Sequence, residues 1–202
     1  MSIRIYHVPG TRSVRVIWLC DELGIPCEVV PIDFSPDYRN SLEWRALSPT
    51  GKVPAMADGE MTMFESGAMV LYILEKYGEG RLQPPSGSTE SAKFHQWCWF
   101  AEATLARPLG DIAQHTRIRA EADRIPGVAE DGAARARSFL GAVEDAVKDQ
   151  EYLLEEFSAA DIMMGYSLML AERMDVLDQE HPNVQRYFER LKARPGFQKA
   201  VA

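Results

Sequence analysis

The chain has 202 residues, enough for one large domain or two small ones, and its 46% hydrophobic and 26% charged content is ordinary for a soluble globular protein. A formal net charge of −8 at pH 7 argues against a general nucleic-acid binder, and no apolar stretch approaches a membrane span. The start, Met1-Ser2-Ile3-Arg4, lacks a signal-peptide pattern, and Cys20, Cys27 and Cys98 make neither a CxxC pair nor an even disulfide framework. A reducing cytoplasm is the expected compartment.

In chain order, Ile3 to His7 shows the partial alternation of a strand, which Pro9-Gly10 breaks. A helix follows over Ser13 to Leu23, with Val14, Ile17 and Trp18 on one face and Gly24 as its stop. Ser13 stands at the expected N-cap. Cys27 to Ile32 reads as a second strand, parallel to the first by the right-handed crossover rule. On these elements Cys20 and Cys27 read as packing. Asp33 to Pro49 is polar and irregular, with helical turns around Ser41 to Ala46.

Next comes Gly51-Lys52-Val53-Pro54. A proline in the apolar run Val53, Ala55, Met56 cannot donate to a central ladder, so it belongs at a strand entrance. A cis bond there would leave the Val53 N–H and C=O pointing outward, open to an added extended peptide. Asp58-Gly59 is a hairpin turn, and Met61 to Phe64 the returning strand. Glu65-Ser66 opens a helix to Tyr77, where free N–H groups and the dipole attract a carboxylate. Edge backbone, carboxylate seat and a nearby lysine describe a pocket for a small anionic peptide.

Gly78-Glu79-Gly80 and Pro84 to Ser88 punctuate a boundary, giving a domain over 1–78, a linker over 79–88 and a second domain over 89–202. The second shows helical periods only: Phe94 to Ile112 with a bend at Pro108, Arg135 to Val147, and an apolar helix through Leu170 headed by the S-x-x-D box Ser158 to Asp161. Pro182 starts a further helix, which Pro195-Gly196 ends. The four histidines, His7, His95, His115 and His181, have no metal-ligand spacing, and no metal is expected.

An α/β half with a proline loop, joined to an all-helical half, resembles the cytosolic glutathione transferase family. The likeness covers nearly the whole chain. Tyr6 to Gly24 is similar to its common bacterial and fungal type, and Pro49 to Pro54, Glu65-Ser66 and Ser158 to Asp161 stand in the family's order. The resemblance implies a thioredoxin-like N-terminal domain (βαβ-ββα), an all-α helical-bundle C-terminal domain, and a cytoplasmic homodimeric enzyme of detoxification. Its co-substrate would be glutathione and its second substrate a small apolar electrophile, with peroxidase or isomerase side activity open. A non-catalytic ligand- or protein-binding module on the same fold is the alternative.

Carried over motif by motif, Val53 before Pro54 would pair with the cysteinyl backbone of glutathione. Glu65 would meet the γ-glutamyl ammonium and Ser66 its carboxylate, while Lys52 and Asn40 would serve the glycyl end. The turn where related redox proteins carry a cysteine pair holds Thr11, Arg12 and Ser13 here, so the reactive sulfur would arrive with the ligand. A hydroxyl donating to that sulfur favours its thiolate, and the candidates are Thr11, then Ser13, then Tyr6, with Arg12 beside them. The family type usually has serine where this chain has Thr11. Trp97, Phe100 and Leu105 are expected at a second-substrate pocket between the halves.

Overall fold

A computed structural model describes residues 3–202. Met1 and Ser2, counted in the first domain by sequence, lie outside them. The chain forms two compact units, one running through Leu82 and including Ala193–Ala202, the other Gln83–Lys192.

In the first unit β1 (Ile3–His7), β2 (Cys27–Pro31), β3 (Ala55–Asp58) and β4 (Met61–Phe64) form one sheet in the order β2-β1-β3-β4. β1 and β2 are parallel and joined by α1 (Ser13–Leu23), while β3 is antiparallel to both β1 and β4. The register sets His7 opposite Pro31, Tyr6 opposite Ala55, and Ala55 opposite Phe64. The last residues of β1, β2 and β4 therefore meet the first residue of β3 at one end of the sheet. α1 ends on Gly24, whose φ of 67° suits a residue without Cβ. The irregular stretch resolves into two short helices, α2 (Pro36–Asn40) and α3 (Leu42–Leu47), capped by the hydroxyls of Ser35 and Ser41. α4 (Ser66–Tyr77) completes the βαβ-ββα order.

At the opposite end of the sheet Asp58 closes the hairpin. Its Oδ2 accepts from Tyr72 Oη and Lys76 Nζ at 2.7 Å each and from Tyr77 Oη at 2.6 Å. Its side chain is 2% exposed, so these bonds replace water almost completely. They hold the carboxyl down at about 2, against an ordinary 3.8, with the lysine as the largest cause. A carboxyl whose pKa falls on folding stabilises above its unfolded value and loses that contribution as the pH drops through its folded one. Asp58→Asn should flatten the acid limb of stability between pH 3.8 and 2. In urea melts at neutral pH it should cost about 2 kcal/mol at most, less the screening of the half-exposed lysine.

The second unit is helical. α5 (Thr89–Trp99) passes through a π-helical turn (Phe100–Leu105) into α6 (Ala106–Ala113), and a second π-helical turn (Gln114–Ile118) ends the run. The irregularity expected at Pro108 therefore lies just before it. Proline lacks an N–H and crowds the carbonyl four residues back, here Thr104, and the wide π turn accommodates that carbonyl. α7 (Pro126–Ala146), α8 (Ala159–Arg173) and α9 (Pro182–Lys192) follow. α8 is buried on nearly every face from Ala159 to Met169, as its apolar sequence requires.

The Ser158 box caps it. Asp161 Oδ2 accepts from Ser158 N at 2.8 Å and Ser158 Oγ at 3.1 Å, and Oδ1 accepts from Leu153 N at 2.9 Å and Tyr187 Oη at 2.7 Å. The carboxylate is wholly buried, so removing it strands two backbone donors and a phenol away from water. Asp161→Ala should destabilise the fold by about 3 kcal/mol in chemical denaturation followed by circular dichroism.

Two expectations need correction. Pro195-Gly196 does not end a helix: α9 stops at Lys192, and Pro195 is the first residue of α10 (Pro195–Val201), where its missing N–H costs nothing. Nor does the C-terminus stay with the helical domain drawn at 89–202. α10 packs on α1 in the first unit: Phe197 meets Trp18 edge-on at 5.1 Å, and Arg194 grips Glu22 through Nε at 2.8 Å and Nη2 at 2.7 Å. A Cβ on Gly196 would fall 2.7 Å from the Trp18 ring, so this close approach needs glycine. The boundary between units falls between Leu82 and Gln83. No helix among the described residues is long and apolar enough to cross a membrane.

Candidate functional site

The end of the sheet where β1, β2 and β4 stop and β3 starts gathers most of the sequence candidates. Val53 lies two residues before Ala55, and the Val53–Pro54 bond is cis. Among the described residues no hydrogen bond engages the Val53 N–H or C=O. The loop before it is braced from below: Ser48 Oγ donates to Lys52 O at 2.8 Å, and Arg45 Nη1 donates to Pro49 O at 2.6 Å. Lys52 itself is exposed.

Across the β3–β4 pair, Glu65 follows Phe64 and caps α4. Its φ of 74° is uncommon for a residue with a side chain. Its carbonyl accepts the Met69 N–H at 3.0 Å, and the small residues Ser66, Gly67 and Ala68 leave the first turn open. No acidic side chain occupies that turn, so its positive end is available to an anion. Ser66 is thus the first residue of the helix, with Glu65 as cap. The Ser66 hydroxyl, 3% exposed, accepts from Arg15 Nη1 at 3.2 Å, and Arg15 is itself buried within α1.

The three candidate hydroxyls separate clearly. Thr11 is half-buried, and its Oγ1 lies 2.8 Å from both Val8 O and Ser13 Oγ. Ser13 is fully buried, with Oγ 2.8 Å from His7 Nδ1. It is not the cap of α1: Arg12 holds that place with no side-chain cap bond, so Ser13 is free to bond sideways into this cluster. Tyr6 points to the other face of β1 from His7, by strand alternation, and packs edge-on against Trp44 of α3 at 5.9 Å. The structure thus brings Thr11 and Ser13 together and leaves Tyr6 apart. Arg12 is half-buried at the start of α1.

Asn40 is exposed, but its amide is engaged within its own loop. Its Nδ2 donates to Pro36 O at 2.9 Å and its Oδ1 accepts from Arg45 Nη2 at 2.7 Å, so the amide braces the loop. In the helical unit, Trp97 and Phe100 are half-buried and meet edge-on at 5.3 Å, while Leu105 is wholly buried as core. Of the groups that sequence passed over, His7 is the most telling. Its place in the strand marked it only as lacking metal spacing, and its contact with Ser13 arises from the β1–α1 turn. The Cys20 thiol is raised by its hydrogen bond to Cys27 and by burial, which suits packing and not attack.

A depression of about 550 Å³ on the helical unit, between Glu172, Arg186, Phe188 and Glu189, carries no nucleophile. Among the described residues no group of three or more His, Cys, Asp or Glu side chains is placed to hold a metal ion.

A thioredoxin-like unit with a four-stranded mixed sheet, followed by a helical unit, defines the class. Residues 1–75 match the family model for the glutathione S-transferase N-terminal domain, and residues 126–190 match that for its C-terminal domain. Glutathione S-transferase 3 of Schizosaccharomyces pombe is 26% identical over 205 residues, spanning 96% of this chain and 84% of that protein. A probable glutathione S-transferase of Oryza sativa subsp. japonica is 29% identical over 201 residues, spanning 96% and 92%. A crystal structure of a glutathione transferase family member from Pseudomonas fluorescens pf-5, with two glutathione bound, aligns at a TM-score of 0.90 and 23% identity over 99% of this chain and 92% of that one. At that identity the likeness is one of fold. The chain belongs to the cytosolic glutathione transferase family.

Gly51 tests how tightly the Val53 loop is set. Its φ is +65°, and a Cβ there would lie 2.9 Å from both Arg39 O and Arg45 Cζ. Gly51→Ala should cost about 1–3 kcal/mol in thermal or urea unfolding, from the left-handed backbone and the contact with a carbonyl that cannot move aside.

Proposed function

We propose that in this glutathione transferase Val53, Glu65 and Ser66 hold glutathione, and Thr11 holds its sulfur as a thiolate for attack on a small apolar electrophile. Enzyme class and co-substrate follow from family membership. The division of labour among residues and the nature of the electrophile are our reading. What supports it is the convergence at one sheet end of the unengaged backbone of Val53 just before β3, the open N-terminus of α4 and a half-buried hydroxyl at Thr11.

In this reading the peptide adds to the sheet edge through Val53, as an extra strand would. Its γ-glutamyl carboxylate takes the N–H groups of α4 and the Ser66 side, and Glu65 meets the ammonium. Lys52 and Arg12 add positive charge around the ligand, while Asn40 acts through Arg45 on the loop beneath the glycyl end. Among the hydroxyls Thr11 is favoured, because Ser13 has no exposed surface from which to touch a ligand and Tyr6 faces Trp44.

A thiol lowered by about 2 units from 8.5 needs about 2.7 kcal/mol of preference for its thiolate. A charge-assisted bond from Thr11, worth about 1.5–3 kcal/mol, together with the positive end of α1, is of that size. No acidic residue in the first turn of α1 offsets that end. The sulfur then forms its bond to the electrophilic carbon as the leaving group departs, with proximity of the bound reactants supplying the rest. The same thiolate would serve peroxide reduction or isomerisation. Trp97 and Phe100 are the residues of the helical unit we assign to the electrophile. A cytoplasmic homodimer is the assembly and compartment that family membership supports.

The test is retention on immobilised glutathione followed by conjugation of a chlorodinitrobenzene, with the bound thiol titrated by its thiolate absorbance. Thr11→Ala should raise the thiol pKa by about 1–2 units and cut kcat/KM about thirty-fold near neutral pH, with the glutathione KM within about three-fold of wild type. An unshifted thiol in Thr11→Ala removes Thr11 from its role. Absence of retention by the wild-type chain overturns the binding assignment, and retention without turnover of several electrophiles identifies a non-catalytic binding protein.

A further inference from the structure

We propose that His7 is a positioning residue for the thiolate: its Nδ1–H heads a one-way donor chain, through Ser13 and Thr11, that ends on the glutathione sulfur. The inference rests on the transferase reading above and goes beyond it by naming what aims the Thr11 proton.

The direction of the chain follows from a carbonyl. Val8 O can only accept, so the Thr11 hydroxyl 2.8 Å away donates to it. With its proton so placed, Thr11 Oγ1 faces Ser13 Oγ at 2.8 Å as an acceptor, and Ser13 must donate. Ser13 Oγ, having spent its only proton, faces His7 Nδ1 at 2.8 Å as an acceptor in turn, so Nδ1 carries hydrogen. One arrangement of protons satisfies all three 2.8 Å contacts at once, and only the longer approach of Ser13 Oγ to Val8 O, 3.4 Å, is left without a proton. His7 is half-buried and desolvation lowers its pKa, which favours the neutral ring, and the contact with Ser13 is what sets its hydrogen on Nδ1.

The chain matters because a hydroxyl has one proton. Without a donor at Ser13, Thr11 could turn its hydrogen toward Ser13 and leave the sulfur without a bond. With Nδ1–H of His7 donating to Ser13 Oγ, the Ser13 hydrogen points at Thr11 at 2.8 Å or, at a longer 3.4 Å, at Val8 O, and the first of these turns the Thr11 hydrogen toward Val8 O or an arriving sulfur. Val8 O already accepts the Thr11 backbone N–H at 3.2 Å, so it keeps a partner when the hydroxyl turns away. Each bond in such a line also polarises the next, which strengthens the terminal donor. No proton travels along the chain: the thiol proton leaves to water, and the hydrogen bonds stabilise the charge left behind. Ser13, wholly buried, serves as the link and never meets the ligand.

The experiment titrates glutathione bound to wild type, His7→Leu, His7→Asn and Ser13→Ala, with circular dichroism as the check on folding and calorimetry as the check on glutathione binding. Asparagine can place its amide N–H where Nδ1–H stood, and it cannot titrate as a base. His7→Leu should raise the bound thiol pKa by about 1 unit, lowering kcat/KM about ten-fold at low pH and converging on wild type above the thiol pKa. His7→Asn should recover most of that loss. Ser13→Ala should raise the pKa by a similar amount, and His7→Leu added to it should change little further, as links of one chain do. An unshifted thiol in folded His7→Leu, or a loss that asparagine does not recover, overturns the chain. If His7→Leu does not fold, the Ser13→Ala titration decides: a wild-type pKa there overturns it equally. Failure of the wild-type chain to bind glutathione would instead sink the transferase reading itself.

Discussion

Two helix N-termini, those of α1 and α4, are held within the reach of one buried guanidinium, and the site depends on that pairing. Arg15 leaves the first turn of α1 and donates to Ser66 at the first residue of α4. Each helix start carries roughly half a positive charge, and neither first turn holds an acidic side chain. Helix ends of like sign beside a buried cation make a place that favours negative charge. The two anions of the proposed ligand, a carboxylate at α4 and a thiolate at α1, therefore meet a field already in position, with no reorganisation needed when they arrive.

That field is aimed by strand register. Because Tyr6 pairs with Ala55 and Ala55 with Phe64, the loops after β1 and β4 and the loop before β3 open on the same end of the sheet. A slip of one residue would turn Ile3 and Ile5 out of the core and His7 away from Ser13. The full burial of Ile5 and Met56 is what forbids the slip. Core packing on one part of β1 thus sets the geometry of the hydroxyl cluster at its end.

How much of this was legible in the sequence depended on how local each signal was. α1 and α4 were readable to their end residues, because Gly24 and the Glu65-Ser66 entry are chemical stops and starts written in adjacent residues. The S-x-x-D box announced α8 for the same reason. Pro195 was legible as a punctuation mark but not in its sense, since proline can follow one helix or begin the next, and only packing against Trp18 decides. The π-helical turns left no mark beyond Pro108 itself. His7 was invisible for a different reason: it lies six residues from Ser13, and the turn that joins them is set by three-dimensional closure and not by any residue pattern.

Threonine at position 11, where the family type usually has serine, has a physical rationale in this setting. A serine hydroxyl samples three rotamers, whereas the β-branch of threonine restricts χ1 before any hydrogen bond is made. In this turn the branch adds to two bonds of 2.8 Å, to Val8 O and Ser13 Oγ, that hold the oxygen from either side. A donor fixed this firmly spends little entropy when a sulfur arrives, and the directional line from His7 leaves its proton few places to go. The extra methyl is therefore consistent with a preorganised donor, and the cost of greater stiffness falls on adaptability to differently placed sulfurs and not on the strength of the bond to one.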